Sequence, residues 1–305
     1  MIDVKNLTKR YGNHTAVDDL SFKAKQGEIL GILGPNGAGK TTTMRVLTGF
    51  MPPTSGTAVI DGFDVLDDSM AVRRRVGYMP ERVPVYRDMT VQGYVSFWAK
   101  MRGVRRPKKR VLEVLERVQL ADRRHSLVRS LSKGMMQRLG LAQALVHDPP
   151  VIILDEPTIG IDPQQVIEVR QAVRDLAKDH TVLFSTHILS EAEQICDRVI
   201  IINKGRIVAQ GKPDALREQL DPGLHLYVEI GGAEDKRVFN LLNKIHGINH
   251  VEAAGRGFAI TASGKADVRP DIVRRVNEAN YHLLELRPVA MTLEDIFINL
   301  VEREG

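Results

Sequence analysis

Residues 34–41 carry a pattern that binds phosphate. The pattern is Gly34, Pro35, Asn36, Gly37, Ala38, Gly39, Lys40 and Thr41, followed by Thr42. Its glycines let the backbone turn tightly, so that successive N–H groups point inward at an anion. Lys40 can then reach the outer phosphates of a nucleotide, and Thr41 can offer its hydroxyl to Mg²⁺. The spacing predicts a site for a nucleoside triphosphate.

Two adjacent acids, Asp155 and Glu156, follow the apolar run Val151–Leu154. Because side chains alternate along a strand, the two carboxylates must point in different directions. Asp155 is predicted to reach Mg²⁺ directly or through water. Glu156 is predicted to lie nearer the γ-phosphate, where it can polarise an attacking water as a general base.

The elements that must position these residues alternate between strand-like and helix-like patterns over the first two-thirds of the chain. This alternation predicts an α/β fold with a largely parallel central sheet. A strand at Ile29–Leu33 precedes the glycine loop, a helix at Thr41–Leu47 follows it, and Thr181–Ser185 forms a further strand. A helical insertion is predicted over about 88–140, where apolar residues recur at helical spacing.

A second domain is predicted after residue 218, so that the domains span 1–218 and 219–305. Gln219–Gly223 contains turn-forming residues and is interpreted as a linker. Beyond it, the strand and helix patterns follow the order βαββαβ, which predicts a small ferredoxin-like domain. A last helix is predicted near Leu293–Val301.

With these motifs in view, residues 1–218 resemble the ABC ATPase family of P-loop NTPases. The resemblance is carried, in chain order, by Tyr11 ahead of the glycine loop, the signature-like run Leu131–Arg138, the acids Asp155 and Glu156, the D-loop-like run Thr158–Asp162, and His187. Each motif alone is a weak signal, whereas their order behind a P-loop is specific.

The resemblance implies that ATP is the nucleotide and that two copies of the chain pair head to tail around two ATP molecules. Tyr11 is then expected to stack on adenine, and His187 to hold the γ-phosphate and the attacking water in line. Ser132 and the backbone N–H of Gly134 are expected to contact the γ-phosphate that the glycine loop of the other copy holds, and Asp162 is expected among the nucleotide-binding residues.

Three residues depart from the family pattern. Glu81 stands where most members carry a glutamine, Lys133 replaces a signature glycine, and Met135 replaces a signature glutamine. Glu81 can still ligate Mg²⁺ but adds negative charge beside the phosphates, and Lys133 either adds charge near ATP or points to solvent. These departures, with the segment Leu293–Phe297, resemble bacterial exporter ATPases for gliding motility, antibiotics and polysaccharides.

Composition is that of an ordinary globular protein, with 43% hydrophobic and 27% charged residues among 305. The sequence has no apolar run of the roughly 18 residues that span a bilayer, and Cys196 is its one cysteine. We therefore expect a cytoplasmic protein. The resemblance to transporter ATPases then implies that it works with a separate permease and lies peripherally on the inner face of the membrane.

Two stretches leave their roles open. The aromatic pair Phe97 and Trp98 is either core of the helical insertion or part of a groove for the permease. The net charge of +5 includes the basic stretches 73–75 and 102–110, which either face solvent or meet anionic lipid or a partner. No nucleic acid is expected as a partner.

Three other functions compete with a transporter ATPase. A soluble ABC-type ATPase acting on ribosomes or DNA usually has two ATPase units or a long coiled coil, and the sequence has neither. A GTPase needs an Asn-Lys-x-Asp run, which Asn203–Arg206 lacks. A nucleotide-binding module without turnover is favoured by Glu81 and the altered signature, but Glu156 and His187 argue against it.

Overall fold

The computed structural model describes residues 1–220, 223–263 and 267–289. The chain divides into two units, residues 1–213 and 214–305. The strands of the first unit are β1 (Ile2–Tyr11), β2 (His14–Ala24), β3 (Ile29–Leu33), β4 (Ser55–Ile60), β5 (Phe63–Asp64), β6 (Val76–Met79), β7 (Val151–Asp155), β8 (Thr181–Thr186), β9 (Arg198–Asn203) and β10 (Arg206–Gly211). Its helices are α1 (Lys40–Leu47), α2 (Ser69–Arg75), α3 (Val91–Met101), α4 (Pro107–Arg117), α5 (Lys133–Leu145), α6 (Pro163–Ala177) and α7 (Leu189–Ile195).

The central sheet of the first unit has the strand order β10-β9-β3-β8-β7-β6. Every neighbouring pair is parallel except β9 and β10, which form an antiparallel hairpin. Strands β3, β7 and β8 are buried along their whole lengths, which explains their continuous apolar sequences. Because β8 lies between β3 and β7, the loops that follow these three strands meet at one edge. The predicted α/β fold is confirmed.

A second sheet of the first unit is antiparallel, with the order β2-β1-β4-β5. This sheet was not predicted from the sequence. Strand β1 turns into β2 at Gly12, whose φ of 57° lies in the left-handed region that glycine tolerates. Buried side chains of this sheet, including Val4 and Leu20, share one core with Met44 of α1. The sheet therefore carries Tyr11, at the end of β1, to the side of the glycine loop.

Three helices, α3, α4 and α5, occupy the stretch where a helical insertion is predicted. Residues Val95, Val111 and Leu115 are fully buried, while Leu112 on the same predicted helix is partly exposed. The side chains of Thr90 and Ser132 accept backbone hydrogen bonds at the starts of α3 and α5. Such N-caps satisfy amide groups that the first helical turn leaves free.

The second unit folds as β11 (Leu224–Gly231), α9 (Asp235–Leu242), β12 (Ile248–Ala254), β13 (Gly257–Ala262), α10 (Arg269–Glu278) and β14 (His282–Pro288), with α8 (Pro213–Leu220) leading into it. Its antiparallel sheet has the order β12-β13-β11-β14, the arrangement of a ferredoxin-like domain. Gln219 and Leu220 lie in α8, so helix continues into the predicted linker. The predicted helix at Leu293–Val301 and the segment Leu293–Phe297 lie outside the described residues.

Candidate functional site

The glycine loop joins the buried strand β3 to helix α1. A Cβ atom on Gly34 would lie 2.3 Å from the carbonyl oxygen of Ile202, and one on Gly39 would lie 2.5 Å from that of Ala16. Gly39 also has a φ of 108°, which other residues adopt only with strain. These two positions accept glycine alone, so the loop is held tight enough to aim its backbone N–H groups at one anion.

The side chain of Lys40 lies across this loop and contacts Glu156, the predicted general base. Its Nζ donates to the carbonyl oxygen of Gly34 at 2.7 Å and to that of Pro35 at 3.3 Å. The same Nζ lies 3.2 Å from Oε1 of Glu156, and both side chains are only 6% exposed. A buried ion pair of this kind persists because each charge would be costly to leave without the other.

Glu156 is held between Lys40 and His187. Its Oε2 lies 2.8 Å from Nδ1 of His187, so this ring nitrogen carries the proton when the carboxylate is ionised. The backbone of Glu156 has a φ of 50°, a left-handed conformation that costs a non-glycine residue on the order of 1 kcal/mol. Its N–H donates to Ser185 on the neighbouring strand, so the site maintains this strain.

Asp155 faces the other way, as strand alternation predicts. Its Oδ1 accepts from Ser185 Oγ at 2.7 Å and from Thr41 Oγ1 at 3.3 Å, and the side chain is buried. Burial raises the pKa of Asp155; the two hydrogen bonds oppose this, and the charges of Glu156 and Glu81 raise it further. Thr41 and Asp155 bring a hydroxyl and a carboxylate together, a donor set that suits a hard divalent cation.

A cavity of about 510 Å³ opens beside the glycine loop. Its lining consists of Tyr11, His14, Ala16, Pro35, Asn36, Gly37, Ala38, Gly39, Lys40, Thr41, Thr42, Glu81, Glu156 and Ile159. Its volume is in the usual range for small-molecule sites. Tyr11 stands with its ring partly exposed, and its hydroxyl donates to Sδ of Met51 at 3.0 Å. An open aromatic face beside a phosphate loop can stack on a nucleobase.

The cavity includes three residues that the sequence analysis missed, His14, Ala16 and Ile159. His14 and Ala16 reach it because β1 turns back into β2 directly after Tyr11. Ile159 reaches it because its N–H donates to the carbonyl oxygen of Glu156 at 3.2 Å. Ile159 could have been predicted as a residue of the site, because it lies in the D-loop-like run Thr158–Asp162.

Several predicted nucleotide contacts do not line this cavity. These contacts are Gly34, Ser132, Gly134 and Asp162. The predicted catalytic residue His187 and the predicted metal ligand Asp155 do not line it either. Asp155 and His187 are nevertheless hydrogen-bonded to residues that line the cavity, Asp155 to Thr41 and His187 to Glu156. Ser132, Gly134 and Asp162 lie elsewhere in the same chain, where they have local structural roles.

Ser132 begins helix α5, and its Oγ accepts from the N–H of Met135 at 3.2 Å. Gly134 packs against the side chain of Gln165, so closely that a Cβ at position 134 would lie 1.6 Å from Gln165 Oε1. Asp162 begins α6, where its Oδ1 accepts from the N–H of Gln165 at 3.0 Å. The starts of α5 and α6 are therefore in contact.

Lys133 reaches the loop before α6. A Cβ on Gly160 would lie 2.0 Å from Lys133 Nζ, so the ammonium group sits directly over this glycine. Gly160 has a φ of 65°. Within one chain, Lys133 thus contacts the run Thr158–Asp162, an arrangement that neither sequence-based alternative anticipated.

The aromatic residues after Glu81 form one cluster. Tyr86 packs edge-on against Phe97 at 5.5 Å, and Phe97 against Trp98 at 5.7 Å between ring centroids. Tyr94 is fully buried and donates to Pro84 through its hydroxyl, whereas Tyr86 is largely exposed. Trp98 Nε1 is buried and has no hydrogen-bond partner among the described atoms. The cluster is therefore core on one side and accessible surface on the other.

Part of the basic charge of the first unit is structural. The guanidinium group of Arg73 donates to the carbonyl oxygen of Gly49 at 2.7 Å, and that of Arg110 donates to Leu145 at 3.0 Å and Asp148 at 2.6 Å. Arg102 donates to the carbonyl oxygen of Arg73. Burial, followed by the nearby charge of Arg73, lowers the pKa of Arg102. These arginines connect helices, while residues 105 and 106 are exposed.

The chain is similar to several known proteins. A family model described as "ABC transporter" matches residues 17–159. The linearmycin resistance ATP-binding protein LnrL of Bacillus subtilis is 32% identical, and the match covers 99% of both chains. Nod factor export ATP-binding protein I of Burkholderia orbicola is 37% identical over 99% of this chain and 97% of its own. A dimeric post-hydrolysis structure of the ATP-binding cassette MJ0796 bound to ADP and Pi is 27% identical, with a TM-score of 0.63, over 70% of this chain and 98% of that one.

Proposed function

This chain belongs to the ABC transporter family as an ATP-hydrolysing subunit, and we propose that Lys40, Glu156 and His187 form its hydrolytic site. The observation that carries the proposal is the contact of Glu156 with both Lys40 and His187 beside the glycine loop. A general base needs this proximity to the phosphate site, together with a partner that orients it.

Binding of ATP rearranges this contact. The γ-phosphate competes with Glu156 for Lys40, because both are anions and the phosphate carries more charge. Glu156, released from Lys40 but still bonded to His187, then accepts a proton from water. The water oxygen bonds to the γ-phosphorus, the bond from that phosphorus to the bridging oxygen breaks, and ADP leaves with the electron pair. Tyr11 stacks on the adenine.

Mg²⁺ fits the same site, because Thr41 and Asp155 offer a hydroxyl and a buried carboxylate in contact with each other. Glu81, exposed at the edge of the cavity, is a further oxygen ligand. When bound, the ion neutralises charge on the phosphates. The protein's own part is to hold Thr41 and Asp155 in place through Ser185.

Members of this family work as dimers and with a membrane permease. The dimer proposed for this chain is a head-to-tail sandwich of two copies, in which Ser132 and Gly134 of each copy face the γ-phosphate bound by the other. Support comes from the position of Ser132 at the exposed start of α5, away from the cavity of its own chain. A helix N-terminus that presents a hydroxyl and backbone N–H groups suits a phosphate.

The permease is proposed to dock at the exposed side of the aromatic cluster around Tyr86 and Phe97. Among the described residues, no helix is long and apolar enough to cross a membrane. The chain is then placed at the inner membrane face by its permease. Export is the proposed direction, since relatives are named for resistance and for Nod factor export. No nucleic acid is proposed as a partner.

A mixing experiment tests the shared site. In a sandwich dimer of Glu156→Gln with Ser132→Arg, one site carries both defects and the other carries neither. Phosphate release by an equal mixture should therefore return to about a quarter of the unsubstituted rate, because half of the dimers are mixed and half of their sites are intact. Each variant alone should be nearly inactive. A mixture as inactive as its components, with mixed dimers present by mass, would disprove the shared site.

A further inference from the structure

A buried carboxylate outside the cavity joins two loops of the site. Glu191 lies on α7, and only 3% of its surface is exposed. Its Oε2 accepts from Thr158 Oγ1 at 2.5 Å and from Thr186 Oγ1 at 3.3 Å. The two hydroxyl groups lie at different loops, since Thr158 follows strand β7 and Thr186, the last residue of strand β8, precedes the loop that contains His187. One oxygen atom therefore holds both loops.

The direction of each hydrogen bond in this network is fixed. The N–H of Ile188 donates to Thr186 Oγ1 at 3.0 Å, so the proton of that hydroxyl is free to point at Glu191. Thr158 also donates, because an ionised carboxylate only accepts. Arg170 on α6 places NH2 3.9 Å from Oε1 of Glu191 and supplies the compensating charge. A carboxylate oxygen has the lone pairs to accept from both hydroxyls at once.

Both loops reach the hydrolytic residues. Thr186 and Ile188 flank His187, whose ring bonds to Glu156. Thr158 begins the run Thr158–Asp162, and Ile159 in that run bonds to the backbone of Glu156 and lines the cavity. The position of His187 is thus linked through Glu191 to the position of this run.

We propose that Glu191 is a positioning residue that couples the run Thr158–Asp162 to His187. The inference rests on the proposed function, in which His187 orients Glu156 and the start of α5 faces the second copy. Lys133, at the start of α5, contacts Gly160 in the run Thr158–Asp162. Displacement of that run by the partner subunit changes the hydrogen bond from Thr158 to Glu191. The change passes to Thr186, and from there to the backbone on both sides of His187.

The first test needs no nucleotide. In Thr158→Val the hydroxyl is lost at nearly constant volume, and hydrogen exchange at the amide of Ile188 should accelerate about tenfold. Thr158→Ser keeps the hydroxyl and should restore the slow exchange. Thr8→Val is the matched control, because Thr8 is also a buried threonine. Its hydroxyl accepts from the backbone N–H of Asp19 in the antiparallel sheet and has no link to Glu191. It should leave Ile188 unchanged. Unchanged exchange at Ile188 in Thr158→Val would overturn the inference.

The second test uses steady-state ATP hydrolysis by the full chain. Thr158→Val and Thr186→Val should each lower kcat about tenfold and change KM less than about twofold, since neither residue lines the cavity. The double variant should also fall only about tenfold, because residues that act as one unit lose their effect together. Glu191→Ala should lower kcat by about the same factor as this double variant. A double variant that falls about a hundredfold, the product of the single losses, would overturn the coupling.

The two proposals fail in different ways. If the unsubstituted chain releases no phosphate from ATP, the proposed function is wrong, and exchange at Ile188 still decides whether Glu191 links the loops. If the unsubstituted chain is active and Thr158→Val leaves both Ile188 exchange and kcat unchanged, the hydrolytic site stands and the coupling role of Glu191 is wrong.

Discussion

The first unit buries charged groups, whereas the described part of the second unit buries apolar side chains. Lys40, Asp155, Glu156 and Glu191 are all buried in the first unit, and each has a partner of opposite charge or a hydrogen-bond donor. In residues 223–263 and 267–289, every buried side chain is hydrophobic, and the ion pairs are exposed.

This difference shows where the chain accepts a thermodynamic cost. Removing a charge from water costs several kcal/mol unless partners replace the water, whereas burying an apolar side chain stabilises the fold by about 2 kcal/mol. These four charged groups of the first unit lie around the edge of the sheet where the hydrolytic site is proposed. The described residues of the second unit bury no charged side chain. The following substitutions test this difference between the two units.

Lys40→Ala should have the largest effect. The substitution removes the cation that holds the phosphates and leaves Glu156 buried without its partner. ATP affinity and turnover should fall together, and kcat/KM should fall about a thousandfold or more. Binding of a fluorescent ATP analogue and phosphate release measure the two effects. Normal hydrolysis in this variant would refute the assignment of the glycine loop.

Glu156→Gln should separate binding from turnover. The amide keeps the shape of the side chain but cannot accept a proton, so turnover should fall about a hundredfold or more. ATP should remain bound, and closed dimers should accumulate. Size-exclusion chromatography with ATP measures the dimer. A monomer that continues to hydrolyse ATP would show that Glu156 is not the base.

Ile260→Ala tests the opposite side of the contrast. Ile260 is buried in the apolar core of the second unit, and its truncation should lower the stability of that unit by about 3 kcal/mol. Turnover should stay within about twofold of normal. Ile153→Ala is the matched change beside Asp155 in the first unit, and it should lower both stability and turnover. Loss of ATP hydrolysis in Ile260→Ala alone would give the second unit a direct part in the reaction.

Acid should destabilise the first unit through His147. Burial, with the charge of Arg102 next, lowers the pKa of His147 from 6.5 to about 4, and its Nε2 contacts the carbonyl oxygen of Val76. Between these two pH values the imidazole of His147 is protonated in the unfolded chain but not in the folded chain. The free energy of unfolding therefore decreases as the pH falls. The loss between pH 7 and pH 5 should be about 2 kcal/mol.

Trp98, the one tryptophan of the chain, reports unfolding of the first unit by its fluorescence in urea. His147→Gln keeps a donor for Val76 but does not titrate, and should remove this loss. His250→Gln, at an exposed position of the second unit, is the control and should leave the loss of stability in acid unchanged. An equal acid loss in all three proteins would assign the effect to other groups.

Glu81→Gln should have the smallest effect. The cavity keeps an oxygen ligand at this position, so turnover at saturating Mg²⁺ should stay within about threefold of normal or rise. Burial raises the pKa of Asp155, and Glu81 adds to it. Loss of that charge should lower this pKa and move the acid limb of the pH–rate profile to lower pH. Glu116→Gln, on the surface of α4, is the control. Complete loss of activity would give the carboxylate of Glu81 a specific role.

The family resemblance and the α/β fold were predictable because their signals are local. The glycine loop, the acids after β7 and the signature run are each contiguous in sequence, and the comparisons confirm the family. The order of strands and helices in the second unit was predictable from hydrophobic periodicity. The antiparallel sheet of the first unit was missed, since an alternating α/β pattern does not show which strands pair with distant ones.

Residue types and their close spacing are enough to indicate which residues could bind and cleave a nucleotide, because they fix the chemistry of a short loop. The tertiary structure decided which of them meet. Parallel pairing places β8 between β3 and β7, and this order alone brings Lys40, Glu156 and His187 together from distant parts of the chain. It also buries Glu191 between Thr158 and Thr186, a contact that no local pattern encodes. Burial and strand order arise from the whole chain, and they turn separate motifs into one site.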